Sequence, residues 1–368
     1  MTGLFGIGLF FAAVLASTIV SAADLTIMSW NAKRLGQSNE QSVAALATVA
    51  GRADLLAVQE VMTEAGLTKL EAALEKQTGE QWSSLASHLL GSRSYKEIYA
   101  FLMRDSAVAY EDGAVVYMDR GDRFIREPFS ARFKSKRDGS VFAAATVHIL
   151  YGNGPQDREP EIQALATYWS WLEDAYSDTP VMLMGDFNTP PSDPAFRRLS
   201  QYAVPLITEG ATTLSSRDGL YINLYDNIWV SSKTSFQLTS AGIMDYPRII
   251  GWSNEKSRKH VSDHVPVFVT LGNAKLEQGA PVVHPEAARG KPQAKRTAQM
   301  FPIASKTETA LSGRSVAGAG SVRANSSSRL YHRIECPSYE NISPKNRIEF
   351  ASGVEAEKAG YRLAGNCR

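Results

Sequence analysis

Apolar runs of strand length alternate with short polar segments along most of the chain. Helical spacing of apolar residues is confined to two segments, Gln41–Arg52 and Pro160–Tyr176. Many strands with few helices between them favour an α/β sandwich with mixed sheets over a regular parallel βαβ array. The predicted strands are Leu25–Trp30, Asp54–Gln59, Tyr99–Met103, Ala107–Tyr110, Ala114–Met118, Phe142–Ile149, Val181–Gly185, Leu224–Val230 and Val265–Leu271.

The N-terminal segment has the pattern of an export signal. Residues 2–23 carry no charged side chain, and the apolar run Leu4–Val20 is followed by Ser21-Ala22-Ala23. Small residues at that place predict a signal peptide over 1–23, cleaved after Ala22 or Ala23. The alternative is an uncleaved membrane anchor, because the run approaches spanning length. Cleavage predicts a secreted or periplasmic protein without stable membrane association.

Charge divides the chain into three further parts. The 368 residues have a formal net charge of +1, which excludes nucleic-acid binding by bulk positive charge alone. Residues 1–272 carry 24 basic and 30 acidic groups, whereas residues 273–329 carry nine basic and three acidic groups. This asymmetry predicts a folded catalytic domain over 24–272, a basic flexible linker over 273–329 and a small module over 330–368.

Six polar strings stand where predicted apolar strands stop. Taken singly, each has a structural explanation, such as a turn residue or a satisfied buried histidine. Together, several carboxylates, amides and two histidines at strand ends suit a divalent-metal phosphodiesterase. The strings are Ser29–Asn31, Gln59–Glu60, Thr146–His148, Gly185–Asn188, Tyr225–Asn227 and Ser262–Pro266.

The residue types match the chemistry of a phosphodiester. Hard oxygen ligands such as Glu60 and Asp263 can hold Mg²⁺ and so neutralise phosphate charge. One histidine can act as a general acid near neutral pH, while the other activates or orients water. Asn31 and Asn188 can position the phosphate and the metal-bound water without adding negative charge.

These strings resemble those of the endonuclease/exonuclease/phosphatase superfamily, and more narrowly those of pancreatic-type deoxyribonuclease. The resemblance covers about residues 25–271. It implies a four-layer α/β sandwich in which helices flank two packed mixed β-sheets. The segments that carry it, besides the six strings, are Ser94–Leu102, Arg126–Pro128 and Met182–Asn188.

The resemblance implies an acid/base pair made of His148 and His264. It further implies that Asp226 supports His148 and that Glu97 helps to orient the same ring. The implied substrate is DNA, hydrolysed endonucleolytically.

For metal binding, the resemblance implies Glu60 as the main ligand of Mg²⁺, with Mn²⁺ or Ca²⁺ as alternatives. Asp263 is implied either to ligate a metal or to support His264. The remaining implied site residues are Asp186, Asn188 and Asn31 at the phosphate and metal, and Tyr95 and Arg126 at the DNA backbone.

Three features of the chain depart from the family pattern. The family's groove-reading arginine, two residues after the metal glutamate, is Met62 here. The arginine expected after Asp226 is Asn227, and the internal disulfide is absent from the catalytic domain. None of these changes removes a chemical group from the reaction, so strand or sequence preference is what they affect.

The C-terminal tail resembles a degenerate metal-binding module of bacterial alkyl-phosphotriester repair proteins. Ser338 and Gly365 stand where that module has further zinc-binding cysteines. In an exported protein the remaining pair, Cys336 and Cys367, predicts a disulfide. A DNA-binding role and a disulfide-closed appendage with another partner remain alternatives for this module.

Two other functions stand against the nuclease. A lipid or inositol-phosphate phosphodiesterase uses the same scaffold, and a catalytically inactive binding module is a third class. The Tyr95–Leu102 segment with Arg126 favours a nucleic-acid backbone, and the intact histidines and acids favour an enzyme. The basic linker is expected to hold DNA non-specifically or to act only as a spacer.

Overall fold

The structure is a computed structural model, and it describes residues 24–232, 236–276, 322–325, 330–334, 339 and 347–364. The chain divides into two compact units, Met1–Ala294 and Lys295–Arg368. The predicted signal peptide, most of the predicted linker and both cysteines lie outside the described residues. Within the described ranges, no helix is long and apolar enough to cross a membrane.

Strands dominate the N-terminal unit. In chain order its main elements are β1 Thr26–Leu35, α1 Val43–Ala50, β2 Leu55–Val61, α2 Glu64–Thr78, β3 Trp82–Ala86, β4 Leu90–Gly91, β5 Lys96–Arg104, β6 Val108–Val116, β7 Phe129–Ser135, β8 Val141–His148, α3 Pro155–Ala175, β9 Val181–Asp186, β10 Ala203–Pro205, β11 Asp226–Ser231, β12 Leu238–Ile243, α4 Tyr246–Ile249, α5 Asn254–His260 and β13 Val267–Leu271. Two short 3-10 helices, Pro194–Arg197 and Leu199–Gln201, follow β9.

These strands form two mixed sheets. The first has the order β12-β13-β1-β2-β5-β3, with β4 paired to β5, and the second has the order β10-β11-β9-β8-β7-β6. Each sheet contains one parallel pair, β1 with β2 and β8 with β9, and the other pairs are antiparallel. The carboxyl ends of both parallel pairs carry polar residues that the site uses.

Alternating side chains stack the sheets and helices into four layers. On β8, Phe142 and Ala144 belong to the core between the two sheets, whereas Ala143 and Val147 belong to the core under α3. This period of two is what a strand buried on both faces requires. Helices α1 and α2 pack on the outer face of the first sheet, and α3 packs on the second. The predicted four-layer sandwich with flanking helices is therefore confirmed.

Several elements differ from the sequence prediction. The two strands predicted over Ala107–Tyr110 and Ala114–Met118 are one strand, β6, whose pairing with β7 is interrupted by register shifts. Helix α2 and strands β3, β7 and β12 lie in segments where no element was predicted. Helix α3 begins at Pro155, five residues earlier than expected, because Pro155 at its first turn starts the helix without needing an N–H partner.

The C-terminal unit is described here by itself. Its sheet has the order β16-β14-β15-β17, formed by Arg347–Phe350, Val322–Asn325, Leu330–His332 and Arg362–Leu363, and α6 is Gly353–Lys358. A small core of Val322, Ala324, Tyr331, Ala356 and Tyr361 joins the helix to the sheet. Strand β14 lies within the predicted 273–329 linker, so that boundary is corrected: folded structure begins no later than residue 322.

Candidate active site

The polar strings converge at one end of the sandwich. The carboxyl ends of β1, β2, β8 and β9 meet there, together with the amino ends of their antiparallel neighbours β5, β11 and β13. They surround a cavity of about 610 Å³. Its polar lining includes Glu60, Tyr95, Arg126, His148, Asp186, Asn188, Asp263 and His264. Strand ends from two rigid sheets thus hold the site.

Irregular backbone aims two of these side chains at the cavity. The pairing of β2 with β5 shifts register between Val58 and Val61, and Glu60 inside this bulge has a left-handed φ of 58°. Asn188, just after β9, has φ 49°. Positive φ is uncommon outside glycine and costs about 1–3 kcal/mol, so such residues concentrate at functional sites. Bulges re-aim side chains in this way next to active sites.

Gly185 is required by the close approach of β8 to β9. Its φ is 144°, and a Cβ at this position would lie 2.0 Å from the carbonyl oxygen of Val147. Only glycine fits here, since such a contact is far inside van der Waals range. The glycine therefore lets Asp186, the next residue, stand directly beside His148, with which it is paired in register.

His148 is held by a buried carboxylate. Its Nδ1 lies 3.0 Å from both carboxylate oxygens of Glu97, whose side chain is fully buried. Its Nε2 lies 3.5 Å from Oδ2 of Asp186 and points into the site. Its backbone N–H donates to the hydroxyl of Tyr99 at 2.9 Å. The Glu97 carboxylate is thus placed where it can orient the His148 ring.

His264 has its own carboxylate, and here one implied role is wrong. Nδ1 of His264 lies 2.8 Å from Oδ2 of Asp226, so Asp226 supports His264 and not His148. The segment at Thr212 and Thr213 contacts both Asp226 and His264. The N–H of Asp226 donates to Thr212 Oγ1, and Thr213 forms a β-bridge with His264. Asp226 therefore lies on the His264 side of the cavity.

The two histidines share Asp186. Nε2 of His264 lies 3.6 Å from Asp186 Oδ2, the same oxygen that faces Nε2 of His148. Burial lowers the pKa of His148, but the charge and hydrogen bond of Glu97 together with the charge of Asp186 outweigh it and raise that pKa above its usual value. Burial likewise opposes protonation of His264, and Asp226 with Asp186 raises its pKa well above the usual value.

Asn31 connects this histidine pair to the predicted metal ligand. Its Nδ2 donates to Oε1 of Glu60 at 3.0 Å and to Oδ2 of Asp186 at 3.1 Å. The two carboxylates, which both line the cavity, are thus brought to one buried amide. Carboxylate and amide oxygens are the hard donors that Mg²⁺ and related ions prefer, so this set fits such an ion. Asn188 lies alongside, where its N–H donates to Oδ1 of Asp186 at 2.8 Å.

Of the two roles implied for Asp263, support of His264 does not fit the geometry. It lines the cavity, but its Oδ2 accepts from Nη2 of Arg258 at 3.2 Å, and the support of His264 comes from Asp226. Another group with metal-binding spacing is Asp186, Asp226 and His264, whose candidate ligand atoms lie within 4.8 Å of one another. The short Asp226–His264 contact there is a hydrogen bond, and Mg²⁺ prefers oxygen to imidazole nitrogen.

Arg126 differs from its implied role at the DNA backbone. Its Nε and Nη2 donate to the carbonyl oxygen of His148 at 3.0 and 2.8 Å, and only 6% of the residue is exposed. Arg126 therefore holds the backbone of His148 in place. Tyr95 lines the cavity, with the Arg126 guanidinium carbon 5.6 Å from the centre of its ring.

Sequence reasoning missed a second set of supports on α3. Glu161 is buried, and its carboxylate accepts from the N–H of Ile125 at 3.0 Å and of Leu150 at 2.9 Å. Arg158, one turn earlier, donates to the carbonyl oxygens of Tyr151 and Asn188. The sequence does carry a signal for these supports. Arg158 and Glu161 are charged residues three positions apart, on the same helix face as the apolar residues.

Comparison with known proteins agrees with this architecture. The model of the endonuclease/exonuclease/phosphatase family matches residues 28–264. A deoxyribonuclease of a Thioalkalivibrio species is 46% identical over 269 residues, which cover 70% of this chain and 74% of that protein. Deoxyribonuclease-1 of Oryctolagus cuniculus is 30% identical over 284 residues, covering 70% of this chain and 96% of that protein.

Solved structures show the same fold. A functionally unknown conserved protein from Enterococcus faecalis superposes with a TM-score of 0.51 at 16% identity, covering 67% of this chain and 99% of that one. A family member from Leptotrichia buccalis gives 0.50 at 20% identity, covering 67% and 99%.

The chain belongs to the endonuclease/exonuclease/phosphatase family. The resemblance recognised over residues 25–271 is thereby confirmed, and so is the expectation that the protein is an enzyme of the phosphodiesterase class.

Proposed function

We propose that the protein is an exported, divalent-metal-dependent endonuclease that hydrolyses phosphodiester bonds of DNA. The observation that carries the proposal is the paired histidine arrangement. Both Nε2 atoms face Asp186 Oδ2, at 3.5 and 3.6 Å, and each Nδ1 is backed by a separate buried carboxylate. Hydrolysis of a diester needs one proton removed from water and one delivered to the leaving oxygen, and this pair can do both.

In this mechanism a neutral histidine accepts the proton of the attacking water through Nε2. The water oxygen forms a bond to phosphorus while the bond to the leaving oxygen breaks, and the other histidine, protonated, gives its proton to that oxygen. Glu97 and Asp226 keep the Nδ1 positions protonated and fix the two rings. Asp186 lies between the rings and stabilises whichever of them is positively charged.

Glu60, with Asp186 and Asn31, would hold the divalent ion. A bound Mg²⁺ neutralises phosphate charge and stabilises the leaving oxygen. The carboxylate of Glu60 is kept in place by the amide of Asn31 and by the backbone N–H of Arg34, at 3.0 and 3.1 Å. The residues present therefore suit the ion that the family resemblance implies.

DNA as the substrate is supported by the relatives, several of which carry the name deoxyribonuclease. Exposed Arg34, whose guanidinium lies over the Tyr95 ring at the cavity wall, adds a local positive charge of the kind a nucleic-acid backbone requires. Export rests on the predicted 1–23 signal peptide, and the basic 273–329 segment is proposed to hold DNA non-specifically.

Product analysis with three substrates tests this function. Purified protein is incubated with supercoiled plasmid, sphingomyelin vesicles or an inositol phosphate, each with Mg²⁺ or with excess chelator. We expect nicked and then linear plasmid only when the metal is present. Release of phosphocholine or inorganic phosphate with an intact plasmid would contradict the proposal and favour the lipid or inositol-phosphate alternative.

A further inference from the structure

We propose that Arg34 binds a phosphate of the DNA strand beside the cleavage site and supplies a cation close to position 62, where this chain has Met62. This rests on the proposed function. The arginine that the family resemblance places two residues after the metal glutamate is missing here, and no residue near it in sequence supplies a cation.

The sheet brings Arg34 to that place from another strand. Leu35 on β1 pairs in parallel register with Val61 on β2, and the N–H of Met62 donates to the carbonyl oxygen of Leu35 at 2.9 Å. The N–H of Arg34 itself donates to Oε2 of Glu60 at 3.1 Å. The end of β1 therefore runs directly beside Glu60 and Met62, and it places the Arg34 side chain in the lining of the cavity that also contains Glu60.

The guanidinium of Arg34 is available to a ligand. Among the residues that the structure describes, nothing accepts a hydrogen bond from it or pairs with its charge, although it is exposed and lines the cavity. Two other arginines of the cavity are engaged: Arg126 with the His148 carbonyl, and Arg258 with Asp263 and the Leu214 carbonyl. Arg34 is the cavity arginine whose donors remain for substrate.

Tyr95 positions this planar guanidinium for a phosphate. The Arg34 guanidinium carbon lies 5.8 Å from the centre of the Tyr95 ring, within cation–π range. A guanidinium held over a ring keeps its N–H edges free, and two parallel N–H groups match two phosphate oxygens. Ser92 and Ser94 line the cavity with Tyr95, and hydroxyls of this kind also bind phosphate oxygens.

DNA binding without turnover tests the proposal directly. The affinity of a 20-base-pair duplex is measured by fluorescence anisotropy in chelator across a salt series, for the parent, Arg34→Gln and the control Arg120→Gln. Arg120 is an exposed arginine that lines a different cleft. We expect Arg34→Gln to bind about tenfold more weakly on AT-rich and GC-rich duplexes alike, because a charged hydrogen-bond contact is lost. Its log–log salt slope should fall by about 1.

Arg120→Gln should behave as the parent, and Arg34→Lys should recover the salt slope but only part of the affinity, since lysine keeps the charge without the planar pair of donors. The kcat/KM of Arg34→Gln for plasmid in Mg²⁺ should fall by about the same factor as its affinity for DNA. Equal salt slopes for Arg34→Gln and the parent would overturn the proposal. So would a large loss of turnover with unchanged binding, which would mean that Arg34 acts through Glu60.

Plasmid cleavage by the parent is measured first in the same series. A parent that leaves the plasmid intact overturns the proposed function itself. A parent that cleaves, beside an Arg34→Gln variant with unaltered binding, overturns only the role of Arg34.

Discussion

Asp186 links the two histidines, because one of its carboxylate oxygens lies at nearly the same distance from Nε2 of both rings. The residue types of this arrangement can be predicted from the sequence, because polar residues stand in short strings at the ends of predicted strands. Which carboxylate lies beside which histidine cannot be predicted in this way. Asp226 was expected beside His148, yet it lies beside His264, because strand order and the Thr212 segment decide which side chains meet.

Histidine titration tests the corrected pairing. The charge of Glu97 raises the pKa of His148, and the charge of Asp226 raises that of His264, so neutral substitutions must lower them. We expect Glu97→Gln to move the His148 midpoint to lower pH while moving His264 much less, and Asp226→Asn to do the reverse. Ring-proton NMR of metal-free protein measures both midpoints. A larger shift of the His148 midpoint than of the His264 midpoint in Asp226→Asn would contradict the corrected pairing and support the predicted contact of Asp226 with His148.

At the scale of elements, local patterns identified the buried strands but not the ones interrupted by register shifts. Strand β6 was read as two strands because Glu111, Asp112 and Gly113 break its apolar pattern, whereas its neighbour β7 keeps it in one ladder. Helix α2 was missed although Leu67, Leu70 and Leu74 give it one buried face. The early start of α3 matters most, since it places Arg158 on the same helix as Glu161, behind the site.

Removing the Glu161 carboxylate tests the importance of α3. Glu161→Ala leaves the backbone donors of Ile125 and Leu150 without their acceptor, so we expect a loss of roughly 2 kcal/mol or more in the free energy of unfolding. Turnover should also fall, because Arg126 and the segment after His148 lose their support. Urea unfolding and plasmid cleavage measure the two effects.

Glu159→Ala is the matched control, because Glu159 is an exposed residue of the same helix. Its stability should stay within about 0.5 kcal/mol of the parent. Equal free energies of unfolding for the two variants would show that Glu161 does not support the site.

On the scale of the whole molecule, charge is distributed unevenly. The catalytic part of the chain is acidic, so local cations and bound metal must gather a polyanion at the cavity. Composition predicted a catalytic domain over 24–272 and a tail module over 330–368, and this division stays a prediction. Composition could not locate β14, because Val322–Asn325 is a short strand that depends on pairing with β15 and β16.

Truncation after Gly272 tests the basic segment as a DNA-holding arm. Nine cationic side chains of residues 273–329 are removed with it. We expect a folded nuclease with weaker apparent affinity for long DNA, a shallower salt dependence and nearly unchanged turnover at saturating DNA. Cleavage rates across a salt series measure this. Identical salt slopes for the truncated and full-length proteins would reduce the segment to a spacer.

The paired histidines are the central claim, and the rate of plasmid nicking in Mg²⁺ tests them most directly. We compare the parent with His148→Ala and His264→Ala, and with the control His88→Ala, which replaces an exposed histidine outside the cavity lining. The account predicts that each site variant loses about 10²–10⁴-fold in rate with an unchanged circular dichroism spectrum, the loss typical of an acid/base group, and that His88→Ala cuts like the parent. A folded His148→Ala or His264→Ala variant that nicks plasmid at a near-parental rate would contradict it.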